Sequence, residues 1–119
     1  IIFAEKNYPE MVNHLSTTKS PMQMLSSLSK GYWAKEGKKI DPKNVVNVAI
    51  MPCTAKKAWK ERPDMKADNG DPVTDYVLTT RELGTMLRQS NINPVSLPKT
   101  PFDKIMGEST GAAVIFGAT

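Results

Sequence analysis

The stretch VVNVAIM, residues 45–51, constrains the fold of this chain more than any other feature of its sequence. It is apolar and rich in β-branched residues at both odd and even positions, which is typical of a strand covered on both faces in a parallel sheet. Pro52 follows directly and lacks the backbone N–H that would continue a strand ladder. The sequence therefore predicts a buried strand that ends at residue 51.

A second strand and a helix follow downstream. Residues 76–78 read Tyr-Val-Leu, and Thr79 and Glu82 have the spacing of a capping box that begins a helix running to about Asn91. Strands that alternate with helices predict an α/β fold, part of a parallel twisted sheet flanked by helices. Ligands of such sheets bind beyond the carboxyl ends of the strands, which is where Cys53 lies.

Proline positions and apolar spacing predict the elements before the first strand. Residues 1–15 predict a helix in two pieces, with Pro9 in the first turn of the second piece. Ser20 and Pro21 predict the N-cap and first residue of a helix that runs to about Ala34. We expect its apolar face to be buried, namely Met24, Leu25, Leu28 and Tyr32. The remaining expectations are a long polar connection at 54–74, a third strand at 94–97 and either a strand or a buried loop at 112–116.

Composition limits the possible functions. The chain has 119 residues, of which 39% are hydrophobic, enough for one small domain at most. It begins at Ile1 without an initiator methionine, so we expect an excerpt of a larger protein, truncated at both ends. The net charge is +4, but acidic residues interrupt the basic stretches and no aromatic platform accompanies them, so no nucleic-acid partner is expected. No run of 18 apolar residues predicts a membrane span.

Cys53 is the only cysteine of the chain, so no intrachain disulfide can form. Taken alone, a cysteine after an apolar strand is a small buried hydrophobe, a nucleophile or a metal ligand. A nucleophile needs a base, and the only histidine, His14, lies on the polar side of a short helix. Lys56 follows three residues later and could stabilise a thiolate or an anionic ligand, or could be a solvated loop charge. These alternatives stay open on the residues alone.

Several motifs, in the same order and spacing, resemble the catalytic domain of the iron-only (FeFe) hydrogenases. MPCTAKK, residues 51–57, resembles the second cysteine motif of that family, Met-Pro-Cys-x-x-Lys-x-x-Glu. The resemblance extends over the whole chain, which would begin just after the first cysteine motif as a partial H-cluster domain, residues 1–119, in one lobe region of a larger catalytic domain. The other matching stretches are YPEMVNHLSTTKSP (8–21), DPKNVVNVAIMPC (41–53), TTREL (79–83) and MGESTGAAVIFGAT (106–119).

The resemblance implies a cofactor and roles for individual residues. The H-cluster of this family joins a 4Fe-4S cubane to a two-iron subcluster that carries CO, cyanide and a dithiolate. Cys53 would be one of the cubane ligands, and Lys56 would donate a hydrogen bond to the cyanide on the distal iron. Met51 would pack against the bridging carbonyl, and Ser16 would belong to the proton relay. The other cofactor-binding positions that the resemblance implies are Pro21, Met22, Pro52, Phe116 and Gly117.

Two residues depart from the family pattern. The motif predicts a glutamate at position 59, where this chain has Trp59, and Glu61 follows two positions later. That glutamate commonly helps to anchor an arginine of the proton pathway, so either Glu61 replaces it or the pathway is arranged differently here. Met22 stands where a glutamine is often found beside the distal iron. Such departures are compatible with a subgroup of altered activity, including a sensory one.

The resemblance implies an oxidoreductase that reversibly oxidises H2 or reduces protons to H2, with ferredoxin or a similar electron carrier as partner. The alternative is a hydrogenase-like protein of iron–sulfur assembly that binds a 4Fe-4S cluster without making H2. We expect a cytoplasmic location, with the periplasm as the other possibility. The 119 residues alone are expected to be inactive, because three of the four cubane ligands would lie outside them.

Overall fold

The computed structural model describes residues 1–67 and 69–103 of the chain. Two strands, β1 (Val48–Met51) and β2 (Tyr76–Thr79), pair in parallel, with Val48 opposite Tyr76 and Met51 opposite Thr79. The predicted α/β architecture with a parallel sheet is therefore confirmed. Because the pair is parallel, both strands end at the same edge of the sheet.

Helices precede, connect and follow the two strands. The predicted break at Pro9 is present, although the second piece is a 3₁₀ helix. The connection at 54–74, predicted to be polar and irregular, contains one short α-helix. The α-helices are α1 (Ile2–Asn7), α2 (Pro21–Leu28), α3 (Ala55–Trp59) and α4 (Thr80–Gln89). A π-helix, Ser29–Lys38, continues α2, and 3₁₀ helices span Pro9–His14, Pro42–Asn44, Pro63–Met65 and Pro94–Ser96.

The capping box at the start of α4 is confirmed. The backbone N–H of Glu82 donates to the Thr79 hydroxyl at 3.2 Å, and the Thr79 N–H donates to the Glu82 carboxylate at 2.8 Å. Thr79 is also the last residue of β2. The sheet edge and the start of α4 are thus fixed by the same two side chains.

The helix that begins at Pro21 turns the opposite face inward from the one predicted. Ser20 is its N-cap, as expected, but Met24, Leu25 and Leu28 are exposed. Gln23 is only 1% exposed, and its carboxamide oxygen accepts a hydrogen bond from the Thr74 hydroxyl at 3.0 Å. The prediction that the apolar face is buried was wrong, because Thr74, on the segment before β2, forms hydrogen bonds with Gln23 and Ser26 on the polar face of α2. The buried polar residues of α2, the π-helix and that segment are Gln23, Ser26, Ser29, Lys30 and Thr74.

Asn47 joins the two chain segments that enter the sheet. Its amide nitrogen donates to the carbonyls of Ser26 at 3.1 Å and Val73 at 2.8 Å, and its amide oxygen accepts from the Ser29 hydroxyl at 3.1 Å. Its backbone N–H donates to the Asp75 carboxylate at 2.7 Å, and that carboxylate also forms an ion pair with the buried Lys30. The one polar residue within VVNVAIM therefore holds α2 and the entry to β2 in place.

Two predictions about strands differ from the structure. β1 is shorter than the apolar stretch, and within the described residues Val48 remains 50% exposed, so the prediction of a strand covered on both faces is wrong here. The prediction of a third strand at 94–97 is also wrong. The Asn93 side chain accepts a hydrogen bond from the Val95 N–H and starts a 3₁₀ helix there. The segment at 112–116 lies outside the described residues. Among those described, no helix combines the length and apolarity needed to cross a membrane.

Candidate functional site

The candidate site lies where β1 ends. Met51 is the last residue of the strand, Pro52 and Cys53 form the turn that follows, and Thr54 is the N-cap of α3. The thiol of Cys53 is free and exposed. The interpretation of Cys53 as a small buried hydrophobe therefore does not fit the described structure. An accessible sulfur at the carboxyl edge of a parallel sheet is well placed to meet a ligand.

Two adjacent lysines of α3 have different partners. The Lys57 ammonium lies 2.8 and 2.9 Å from the two carboxylate oxygens of Glu82 at the start of α4. Hydrogen bonds from Lys57, and then from the Thr79 backbone, hold the pKa of Glu82 below its usual value. Within residues 1–67 and 69–103, the half-buried residue Lys56 forms no ion pair with a carboxylate, and its ammonium lies 5.5 Å from the centre of the Trp59 ring. Lys57 therefore connects α3 to α4, whereas the charge of Lys56 is not neutralised by the described residues.

Trp59 belongs to a stack that the sequence interpretation missed. The Arg62 guanidinium lies 5.0 Å from the Trp59 ring centre, and both of its terminal nitrogens donate to the Glu5 carboxylate, at 2.6 and 3.2 Å. This ion pair lowers the pKa of Glu5 and raises that of Arg62. The available signal was spacing, because Lys56, Trp59 and Arg62 follow one another at intervals of three residues. Helix α1 is thereby tied to the segment that follows Cys53.

The two residues after Lys60, Glu61 and Arg62, form separate ion pairs in the described structure. The Glu61 carboxylate pairs with the ammonium of Lys60, the preceding residue, and this contact lowers the pKa of Glu61. The arginine of this segment, Arg62, is held by Glu5 and Asp64 instead. The two possibilities that the sequence raised for position 59, replacement by Glu61 or a different proton pathway, stay predictions.

The other predicted site residues lie on separate segments. Ser16 is exposed after the 3₁₀ helix Pro9–His14, and its hydroxyl oxygen accepts the Thr18 N–H at 3.1 Å. Pro21 and Met22 are the first two residues of α2. In the part of the chain that the structure describes, no hydrogen bond joins Ser16 or Met22 to residues 51–56. Phe116 and Gly117 lie outside the described residues.

The chemistry of the turn fits one ligand position of an iron–sulfur cluster. A thiolate is the usual protein ligand of such clusters, and an ammonium can donate hydrogen bonds to their other anionic ligands. The described residues contain no group of three or more potential metal ligands. Cys53 can therefore supply one ligand, and a complete cluster would need ligands from residues beyond those described.

A broad open groove lies elsewhere on the molecule. It has a volume of about 1130 Å³, and among the described residues neither Cys53 nor another predicted site residue lines it. Three aspartates are interspersed among its basic side chains, and the Asp75 carboxylate pairs with Lys30. The lysines that line this groove are Lys19, Lys30, Lys35, Lys39, Lys43 and Lys66.

Comparison with known proteins extends over the whole chain. Residues 1–119 match the family described as iron only hydrogenase large subunit, C-terminal domain. The periplasmic Fe hydrogenase large subunit of Nitratidesulfovibrio vulgaris is 49% identical over 117 residues, which cover 98% of this chain and 27% of the relative. Iron hydrogenase 1 of Clostridium pasteurianum is 45% identical over 116 residues, covering 98% of this chain and 20% of the relative. The chain thus spans about a quarter or less of the length of these relatives.

Solved structures and more distant relatives agree with this placement. An apo FeFe hydrogenase from Chlamydomonas reinhardtii matches with a TM-score of 0.80 and 37% identity, covering 94% of this chain and 28% of that one. The cytosolic Fe-S cluster assembly factor narfl of Xenopus tropicalis is 34% identical over 111 residues, covering 92% of this chain and 23% of the relative. By their names, the relatives divide between the periplasm and the cytosol.

Proposed function

Because this chain belongs to the family of iron-only hydrogenase large subunits, we propose that the complete gene product interconverts H2 with two protons and two electrons at an H-cluster. The observation that carries the proposal is the position of Cys53, an exposed thiol at the carboxyl edge of the parallel strands and one helical turn before Lys56. The alternative is an iron–sulfur assembly factor. It has less support, because the chain is 34% identical to the assembly factor narfl and 49% identical to the periplasmic hydrogenase large subunit.

The bound H-cluster would supply the redox chemistry, and the protein would supply ligation, hydrogen bonds and proton delivery. Cys53 would hold one corner of the cubane through its thiolate. Lys56 offers three N–H donors and a positive charge, which suit the cyanide of a two-iron unit. Met51, at the last position of β1, would present a soft apolar side chain to the same ligands.

Ser16 is the residue proposed to pass protons. Its hydroxyl oxygen already accepts one hydrogen bond, from the Thr18 N–H, and its own proton remains available for donation. A hydroxyl that accepts while donating can exchange one proton for another without carrying a charge. Electrons would arrive from ferredoxin or a similar carrier, and we propose the cytoplasm as the location.

The first experiment tests the ligand role of Cys53 in the complete gene product. We expect Cys53→Ala to abolish the 4Fe-4S signal in electron paramagnetic resonance and with it H2 turnover, because one of four thiolate ligands is lost. A cluster that assembles normally in this variant would contradict the proposal. A wild type that holds the cubane and makes no H2 would favour the assembly-factor alternative.

A pair of matched variants tests Lys56. Lys56→Gln and Lys57→Gln remove the same charge from adjacent residues of α3, but only Lys57 is paired with Glu82. We expect Lys56→Gln to lose most of the two-iron unit, measured by the infrared bands of CO and cyanide, with the cubane retained. Lys57→Gln should keep these bands. Equal losses in the two variants would show that only the general charge of α3 matters.

A further inference from the structure

The ring of Trp59 contacts two cationic side chains. The Lys56 ammonium lies 5.5 Å from its ring centre, and the Arg62 guanidinium carbon lies 5.0 Å from it. Both distances are within the range over which the electron-rich face of an indole attracts a cation. A glutamate, which the family motif predicts at this position, has no ring and could not make these contacts.

The two cations differ in what else holds them. Arg62 is fixed by both oxygens of Glu5 and by Asp64 at 3.3 Å. In the described ranges, 1–67 and 69–103, the Lys56 ammonium forms neither a salt bridge nor a hydrogen bond. Among these residues its electrostatic contact is the cation–π interaction with the Trp59 ring. Arg62 therefore ties the ring to α1, and the ring in turn restrains the free end of Lys56.

A ring restrains an ammonium differently from a carboxylate. A carboxylate would neutralise the charge of Lys56 and occupy its N–H donors, as Glu82 does for Lys57. An aromatic face attracts the cation without accepting a conventional hydrogen bond. A lysine held in this way keeps both its charge and its donors for an external anionic ligand.

We propose that Trp59 is a positioning residue, which restrains the side chain of Lys56, three residues after Cys53, and leaves its ammonium charged and able to donate. The Glu5–Arg62 ion pair anchors the ring on the side of α1. The inference rests on the proposed function, in which Lys56 donates to the cyanide of the two-iron unit. Trp59 would thus position Lys56, whereas the motif glutamate helps to anchor an arginine of the proton pathway.

The test compares Trp59→Phe, which keeps an aromatic face, with Trp59→Leu, which keeps an apolar side chain without a ring. Both are made in the complete gene product, beside Lys56→Gln. In the metal-free protein, the methylene protons next to the Lys56 ammonium are observed by nuclear magnetic resonance with labelled lysine. Ring-current shielding should displace this signal in the wild type and in Trp59→Phe, and the displacement should vanish in Trp59→Leu.

The second readout is the infrared spectrum after loading of the two-iron unit. We expect Trp59→Leu to shift the cyanide bands in the same direction as Lys56→Gln and to weaken retention of the unit about fivefold, the size of a cation–π contact at a half-exposed site. Trp59→Phe should stay close to the wild type. The cubane signal should remain in all three variants, which excludes a general failure to fold.

The outcomes separate the two proposals. Wild-type cyanide bands and wild-type retention in Trp59→Leu, beside altered ones in Lys56→Gln, would overturn the role of Trp59 alone. An unshielded Lys56 signal in the wild type would overturn it as well. A wild type that takes up no two-iron unit would overturn the proposed function, and the role of Trp59 with it.

Discussion

Replacing Asn47 with alanine should loosen the junction between α2 and the sheet. The carboxamide makes three hydrogen bonds, to Ser26, Ser29 and Val73, at 3.1, 3.1 and 2.8 Å. Alanine removes all three, and the carbonyls of Ser26 and Val73 lose the Asn47 donor, although the Ser29 backbone N–H still bonds to the Ser26 carbonyl. The backbone bonds of residue 47 to Asp75 and Tyr76 do not depend on the side chain and should persist.

The expected cost follows from the number of bonds lost. At about 1 kcal/mol for each net intramolecular hydrogen bond, the three bonds amount to about 3 kcal/mol. Since 1.4 kcal/mol is a factor of ten in an equilibrium constant, local opening of the junction should become more frequent by about a hundredfold.

Hydrogen exchange measured by mass spectrometry on the complete gene product is the appropriate assay, because it reports local opening in a large protein. Peptides that cover β1 and β2 should lose about two powers of ten in protection in Asn47→Ala. Asn44→Ala is the matched control, since Asn44 is exposed and its side chain makes no hydrogen bond among the described residues. Equal exchange in the two variants would refute the assignment of Asn47 as the residue that joins α2 to the sheet.

Three other predictions concern pH, capping and proton transfer. Arg62 lowers the pKa of Glu5 below its ordinary value of 4.5, so the contact between α1 and the Arg62 segment should be fully present above pH 4.5 and be lost as the pH falls through the lowered value. Hydrogen exchange of α1 from pH 7 to pH 3 would measure this, and Arg62→Met should remove the dependence. Thr79→Ala removes a side chain of the capping box and should lower the free energy of unfolding by about 1 kcal/mol, measured by denaturant titration at unchanged m-value. Ser16→Ala should lower H2 turnover by about a hundredfold with both infrared and cubane signals unchanged, whereas Thr17→Ala should have little effect.

Each of these three has a result that contradicts it. If hydrogen exchange of α1 did not depend on pH, the Glu5–Arg62 ion pair would not be what anchors this helix. A Thr79→Ala variant as stable as the wild type would show that the capping box contributes nothing to α4. Normal turnover in Ser16→Ala would exclude its hydroxyl from the proton path.

The parallel strands and the start of α4 could be predicted because their signals are local. VVNVAIM ends at Pro52, and Thr79 and Glu82 form their capping box within four residues of chain. Such features depend little on what packs elsewhere. The position of Cys53 at the carboxyl edge followed from the order of the elements alone.

The orientation of α2 could not be predicted, because apolar periodicity assumes that apolar side chains face the interior of the same chain. Here Gln23 is buried by its bond to Thr74, which lies 51 residues later in the sequence. No local pattern reveals such a partner. For residues 94–97 a local signal did exist, since Asn93 before a proline favours a turn over a strand.

The stack around Trp59 was missed for a related reason. In the sequence, Trp59 stands out only because the motif predicts a glutamate there. A departure from a motif does not indicate which contacts the new side chain makes. The spacing of three residues between Lys56, Trp59 and Arg62 is visible in the sequence, but the anchoring partner, Glu5, is distant in the chain and only the folded structure brings it close.

The polar inner face of α2 has a consequence for how this segment can change in evolution. The carboxamide oxygen of Gln23 accepts a hydrogen bond from Thr74, and Lys30 and Asp75 form an ion pair in which Lys30 is almost fully buried. Replacing one member of either pair leaves a buried polar group without its partner, which destabilises the fold. Replacing both members together avoids this penalty. In an alignment of orthologues, positions 23 and 74, and likewise 30 and 75, should therefore covary, while the outward residues of the helix should follow substitutions in whatever surface they touch.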